Sequence, residues 1–200
     1  MNSTHRNGRV FWTAIVLVLV LDFATKVIAV AKLWPPHVPH EIIGDYVRFT
    51  LAFNPGAAFS MSLGQNSRYI FGAFAVVAIV ILWRLYRVTA PGDLTRVLAL
   101  GLAAGGAAGN LLDRFREPRG VVDFIDIGIG TVRFWTFNIA DSAVTVGALM
   151  LAFVLWREDR RELALQAAEA AVLDDTPSVR QSPVIESDSL RRGTESENGD

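Results

Sequence analysis

Apolar residues along this chain fall into four blocks, separated by stretches where polar and turn-forming residues concentrate. VFWTAIVLVLVLDFATKVIAVAKLW (10–34), YIFGAFAVVAIVILWRLYRV (69–88), VLALGLAAGGAAGNLL (97–112) and IADSAVTVGALMLAFVLW (139–156) each approach the ~20 residues that a membrane-spanning helix needs. Trp34, Tyr69, Trp83, Trp135 and Trp156 fall near the block ends, where interfacial aromatics anchor a span. The third block is short and rich in Gly and Ala. Small side chains let backbones approach, so it predicts a helix packed centrally against the others. Between blocks the period changes. YVRFTLAF (46–53) alternates and runs into an Asn-Pro-Gly turn, which predicts a short strand. The stretch 114–138 holds two β-branched runs split by Gly-Ile-Gly and predicts a hairpin-like excursion.

Composition agrees with a membrane protein: 52% of residues are hydrophobic and the mean hydropathy is +0.34. The net charge of −1 conceals a division. Residues 157–200 hold 11 of the 20 acids and 6 of the 19 bases, which leaves residues 1–156 at +4 (13 bases less 9 acids). The organisation expected is an N-terminus over 1–9, a four-span domain over 10–156, and an acidic tail over 157–200. The tail begins as an Ala-rich helix (EDRRELALQAAEAAVL) and then lacks the apolar content to fold. A weakly basic body with an acidic tail does not suit a nucleic-acid partner. Without cysteine there is no thiolate nucleophile, disulfide or cysteine metal site. HVPHE (37–41) has two His residues, but Pro39 defeats helical pairing, so no metal is expected. Asp22 interrupts the first block, and apolar sequence continues too far beyond it for a cleaved leader; the segment reads as a first span. Eight basic residues flank the spans on the side of the termini and seven on the other, so charge does not orient the chain.

Candidate chemistry lies in the acids within or beside the apolar blocks: Asp22, Asp113, Asp123, Asp126 and Asp141. Such residues usually face a bundle interior and a partner. Asp22 and Lys26 are one helical turn apart and can form a structural ion pair, or orient something in a site. Asp141, three residues after Asn138, suits a helix cap. Asp113 has the same relation to Asn110 and adjoins Arg114, which reads as a fixed anchor. In VVDFI, alternation puts Asp123 and Asp126 on opposite faces, Asp123 toward the bundle and Asp126 toward water.

NPGAAFS (54–60), GNLLDR (109–114), VVDFI (121–125) and FNIADSAV (137–144), in this order between four spans, together with LDFATK (21–26), resemble the lipoprotein signal peptidase, or signal peptidase II, family. The likeness covers roughly residues 10–156; the tail lies outside it, and Pro55 departs from the usual pattern. The resemblance implies a membrane all-α fold: four transmembrane helices with a small extracytoplasmic β-element and loop excursion. It implies an aspartic endopeptidase with Asp123 and Asp141 as the catalytic pair. Asn54, Gly56, Asn110, Asp113, Arg114 and Asn138 would line or brace the site, joined by Asp22 and Lys26 from the first span. No cofactor is implied. The partners would be diacylated prolipoprotein substrates and membrane lipid, and the enzyme a monomer in the bacterial cell membrane. Its termini would be cytoplasmic and its site would open toward the outer leaflet; with a substrate so placed, the GAAFS loop is expected to act as a lid or clamp over the extended peptide. Acids gathered at one membrane face, with no inverted repeat, argue against an ion-coupled transporter.

Overall fold

A computed structural model describes residues 3–56 and 66–174 of the chain. Eight elements follow in order: α1 (Ser3–Lys32), β1 (Pro39–Ile43), β2 (Val47–Asn54), α2 (Ser67–Val88), α3 (Leu94–Arg116), β3 (Val121–Ile129), β4 (Val132–Arg133) and α4 (Ile139–Asp174). All four helices are long and apolar enough to cross a membrane. They form where the apolar blocks predict them, although α1 starts earlier and α3 runs a turn further at its C-terminal end.

The Gly/Ala-rich helix does pack centrally. A Cβ on Gly105 would lie 3.0 Å from Val18 Cβ of α1, and one on Gly106 would meet the Ala140 backbone of α4, so side chains here would force the helices apart. In the most apolar window of α3, 44% of the residues are buried, whereas in that of α2 none is fully buried. Far from the sheet, Phe11 packs against Val97, Leu100 and Ala104, and its ring stacks on Tyr86 at 4.0 Å. Asn7 closes this end by donating to Ala90 O and accepting from Gly92 N, both at 3.0 Å.

The opposite end carries a four-stranded antiparallel sheet in the order β1-β2-β3-β4. β1 has no signal in the sequence pattern; it begins at a proline and takes an edge position, where a missing N–H is tolerated. One face of the central strands, with Leu51, Val122 and Phe124, packs on Ala29 and Leu33 at the end of α1. The other face presents Ala52 directly opposite Asp123. Alternation therefore separates Asp123 from Asp126 as expected, but Asp126 does not face water. It is 8% exposed, accepts from Arg133 Nε at 2.7 Å and from Thr50 Oγ1 at 3.1 Å, and so pins the base of the hairpin. A carboxylate with a paired guanidinium can remain buried where an isolated one would not.

Residues 159–174 are helical, as the Ala-rich pattern suggests, and the side chains through Ala171 are exposed. Residues 175–200, where the sequence predicts unfolded chain, lie outside the described residues.

Candidate active site

Asp123 comes from the middle of β3 and Asp141 from the first turn of α4, and Asn138 holds both. The Asn138 side-chain amide donates to Asp123 Oδ1 at 2.7 Å. Its backbone N–H donates to Asp141 Oδ2 at 3.1 Å, and its side-chain oxygen accepts from Asp141 N at 2.9 Å. The last two bonds form a reciprocal capping box, with aspartate in the place more often taken by glutamate. Asp141 is thus a helix-capping residue whose second oxygen remains available, so the structural and chemical readings of this acid are compatible. Asn110 of α3 supplies that oxygen with a donor: its Nδ2 lies 2.7 Å from Asp141 Oδ1.

Beneath this pair lies a buried charge cluster. Lys26 has no exposed side-chain surface and contacts Asp22 Oδ2 and Asp113 Oδ2, each at 2.8 Å, and Asn110 Oδ1 at 3.0 Å. Asp22 uses its other oxygen to cap α4, accepting from Ala140 N at 3.0 Å. Asp113 also accepts from Arg116 Nε at 3.1 Å and Val122 N at 3.2 Å, which ties α3 to the strand carrying Asp123. Its ionic partners are therefore Lys26 and Arg116. Adjacent Arg114, the neighbour that made it read as an anchor, instead donates to Asn110 O at 2.9 Å and lies over the Phe71 ring. A helix turns 100° per residue, so sequence neighbours point apart while i+3 partners meet.

Asn54 ends β2 and accepts from Gly56 N at 3.0 Å, a side-chain-to-backbone turn closing the strand. Gly56 has φ +113°, and a Cβ there would lie 2.6 Å from the Phe71 ring, so both its conformation and the space favour glycine. Gly56 is a turn residue, and its place is against the start of α2. The remainder of the GAAFS loop, which would form the lid, lies outside the described residues.

Asp123 and Asp141 line one cavity of about 950 Å³, bounded by Ala52–Pro55 of β2 and its turn, by Phe134–Phe137, and by Ser142, Thr145 and Val146 along α4. Its wall is mostly apolar, with the two carboxyls as its acidic groups. Burial pushes the Asp123 carboxyl from an ordinary 3.8 up to about 7, and the charge of Asp141 adds to that rise. Hydrogen bonds from Asn138 and Asn54 oppose it. The pair is thus unequal: Asp123 is 3% exposed, while Asp141 accepts N–H donors on both oxygens. His37 also borders the cavity, from a left-handed backbone with φ +66°. The sequence marks it only as one of the two histidines in HVPHE, with no signal for a place at this cavity.

The sequence profile described as Signal peptidase (SPase) II matches residues 14–157. The chain belongs to the signal peptidase II family. It is therefore a multi-pass membrane peptidase of the aspartic type. Among relatives of this signal peptidase II chain, the lipoprotein signal peptidase of Mycobacterium tuberculosis (strain ATCC 25618 / H37Rv) is 45% identical over 152 residues, covering 73% of this chain and 70% of the relative. That of Streptomyces coelicolor is 40% identical over 157 residues, covering 76% and 72%. Two solved bacterial membrane enzymes, both determined in meso, share the fold. One has a TM-score of 0.67 at 30% identity, covering 74% of this chain and 88% of the other; the second has 0.64 at 31%, covering 72% and 91%.

Proposed function

We propose that Asp123 and Asp141 are the catalytic pair with which this protein removes the signal peptide from diacylglyceryl-modified prolipoproteins, cutting on the N-terminal side of the lipidated cysteine. One observation carries this reading: two carboxyls from separate elements face one cavity, bracketed by a single asparagine, and burial raises one of them, Asp123, toward the protonated form.

The chemistry follows from that inequality. Asp141, charged, takes a proton from a water held between the carboxyls as the water oxygen attacks the scissile carbonyl carbon. Asp123, protonated, hydrogen-bonds the carbonyl oxygen and transfers its proton as the carbonyl becomes a gem-diol. On collapse, Asp141 returns its proton to the departing nitrogen and Asp123 recovers one from the diol, so the pair ends as it began. Asn138 and Asn110 orient the carboxyls without adding charge. Asp22, Lys26, Asp113 and Arg114 brace them from α1 and α3, while Asn54 and Gly56 shape the rim.

The largely apolar cavity runs from the sheet along α4 as far as Val146, which suits an extended peptide whose acyl chains remain in lipid. In this reading the enzyme acts as a monomer, with cytoplasmic termini and the sheet at the outer leaflet. Cleavage of a diacylated prolipoprotein by the purified protein in detergent tests the assignment. Asp123→Asn and Asp141→Asn should each reduce kcat by ~10³-fold or more while the protein still inserts and remains monodisperse. Wild-type turnover in either variant refutes the pairing.

A further inference from the structure

Lys26 is a fully buried ammonium in the membrane span α1, and the reaction as described above does not use it. Its three N–H groups meet three acceptors: Asp22 Oδ2, Asp113 Oδ2 and Asn110 Oδ1. Two of these are carboxylates that balance its charge. The third is the carbonyl oxygen of an amide whose nitrogen lies 2.7 Å from Asp141 Oδ1. An asparagine side chain has an oxygen end and an NH₂ end of nearly the same shape, and either end can face a neighbour. Rotated by half a turn, Asn110 would point its NH₂ at an ammonium and its oxygen at a carboxylate, which is repulsive on both sides. Asn138 reinforces the same choice, since its Nδ2 also donates to Asn110 Oδ1 at 3.1 Å.

We infer that Lys26 is a positioning residue for the reaction: its ammonium locks the Asn110 amide in the orientation that aims an N–H at Asp141. Lys26 touches neither carboxyl of the pair; its hydrogen-bonded link to Asp141 runs through Asn110, while its charge reaches Asp123 only through space, as a minor pull toward the ionised form. The inference rests on the catalytic reading of Asp123 and Asp141. It adds an orienting role to an ion cluster that also joins α1 to α3, α4 and β3. With Asn110 fixed, Asp141 Oδ1 keeps its donor, Oδ2 keeps the Asn138 N–H, and this carboxylate stays aimed at the cavity.

A double-mutant cycle on the full-length enzyme separates positioning from simple structural support. Lys26→Met alone would leave two buried carboxylates short of a partner, so the test uses the charge-balanced pair Asp22→Asn with Lys26→Met. There Asp113 retains Arg116 and Val122 N–H, and the new asparagine at 22 still offers an oxygen to Ala140 N. With a diacylated prolipoprotein as substrate, this pair should lower kcat by ~10- to 100-fold with KM changed less than ~3-fold, the range for losing a partner that orients a site residue from behind. Asn110→Ala should lower kcat at least as much. Adding it to the charge-balanced pair should cost less than ~3-fold beyond Asn110→Ala alone, because both changes remove the same N–H. Multiplying effects overturn the inference, as does wild-type kcat per folded molecule in the charge-balanced pair, whatever its thermal stability. Wild-type kcat in Asn110→Ala overturns it independently, since that change leaves both Lys26 ion pairs in place. Asp141→Asn serves as the control. If that variant is active, the catalytic reading has failed; if it is dead and the cycle multiplies, only the role of Lys26 has failed.

Discussion

Burial gives Asp123 a carboxyl that titrates near neutrality, and this one residue sets how the enzyme should respond to pH. As the acid that hydrogen-bonds the scissile carbonyl, it must be protonated, so activity persists below its folded-state value and falls above it. With that value raised from 3.8 to about 7, kcat/KM should hold up to roughly pH 7 and then drop about tenfold per unit. An ordinary aspartate in the same role would already be failing near pH 4. The neighbours make the sign testable. Asn54 donates a hydrogen bond that favours the charged form, so Asn54→Ala should move the alkaline limb to higher pH. A rate profile measured from pH 5 to 9 on both proteins checks this; a limb that moves down, or an alkaline limb absent up to pH 9 in the parent, contradicts it.

At the level of elements, the site depends on three helices and a strand held in register, and one tight point is where α1, α3 and α4 meet. A Cβ on Gly109 would lie 2.7 Å from Asp22 Oδ2 and 3.3 Å from Ala140 Cβ. Gly109→Ala should therefore displace the Asp22 carboxylate that caps α4 and shift the turn bearing Asp141. The expected cost is ~1–3 kcal/mol of stability, from overpacking, together with at least ~10-fold in kcat. A thermal melt and a cleavage assay on the variant check it, and an unchanged kcat would mean that the start of α4 tolerates the shift. This junction also marks what was legible beforehand. The Asp22–Lys26 pair and the Asn138–Asp141 cap are three or four residues apart on one helix or its entry, so helical geometry alone brings them together. Asp113 is held as an anchor by the i+3 Arg116 and by a lysine 87 positions earlier, and only the first of these is a spacing that helical geometry reveals. β1, His37 and the burial of Asp126 depend on cross-strand partners such as Thr50 and Arg133, and no local period encodes those.

Across the whole molecule, the two ends of the helical bundle differ in kind. One is closed by Asn7 against Ala90 and Gly92; the other carries the sheet, the cavity and both aspartates. The four blocks and the change of period made this division readable, but a flanking-charge count of eight against seven gives almost no bias to orientation. The proposed direction, sheet outward, follows instead from where a lipid-anchored substrate would present its peptide bond. Because the chain has no cysteine, orientation can be read with single introduced thiols. Thr131, in the exposed turn between β3 and β4, and Ala90, exposed between α2 and α3, lie at opposite ends. In intact cells a membrane-impermeant maleimide should modify Thr131→Cys at once and Ala90→Cys only after permeabilisation. The reverse pattern would put the catalytic cavity on the cytoplasmic side, where the proposed substrate does not present its cleavage site.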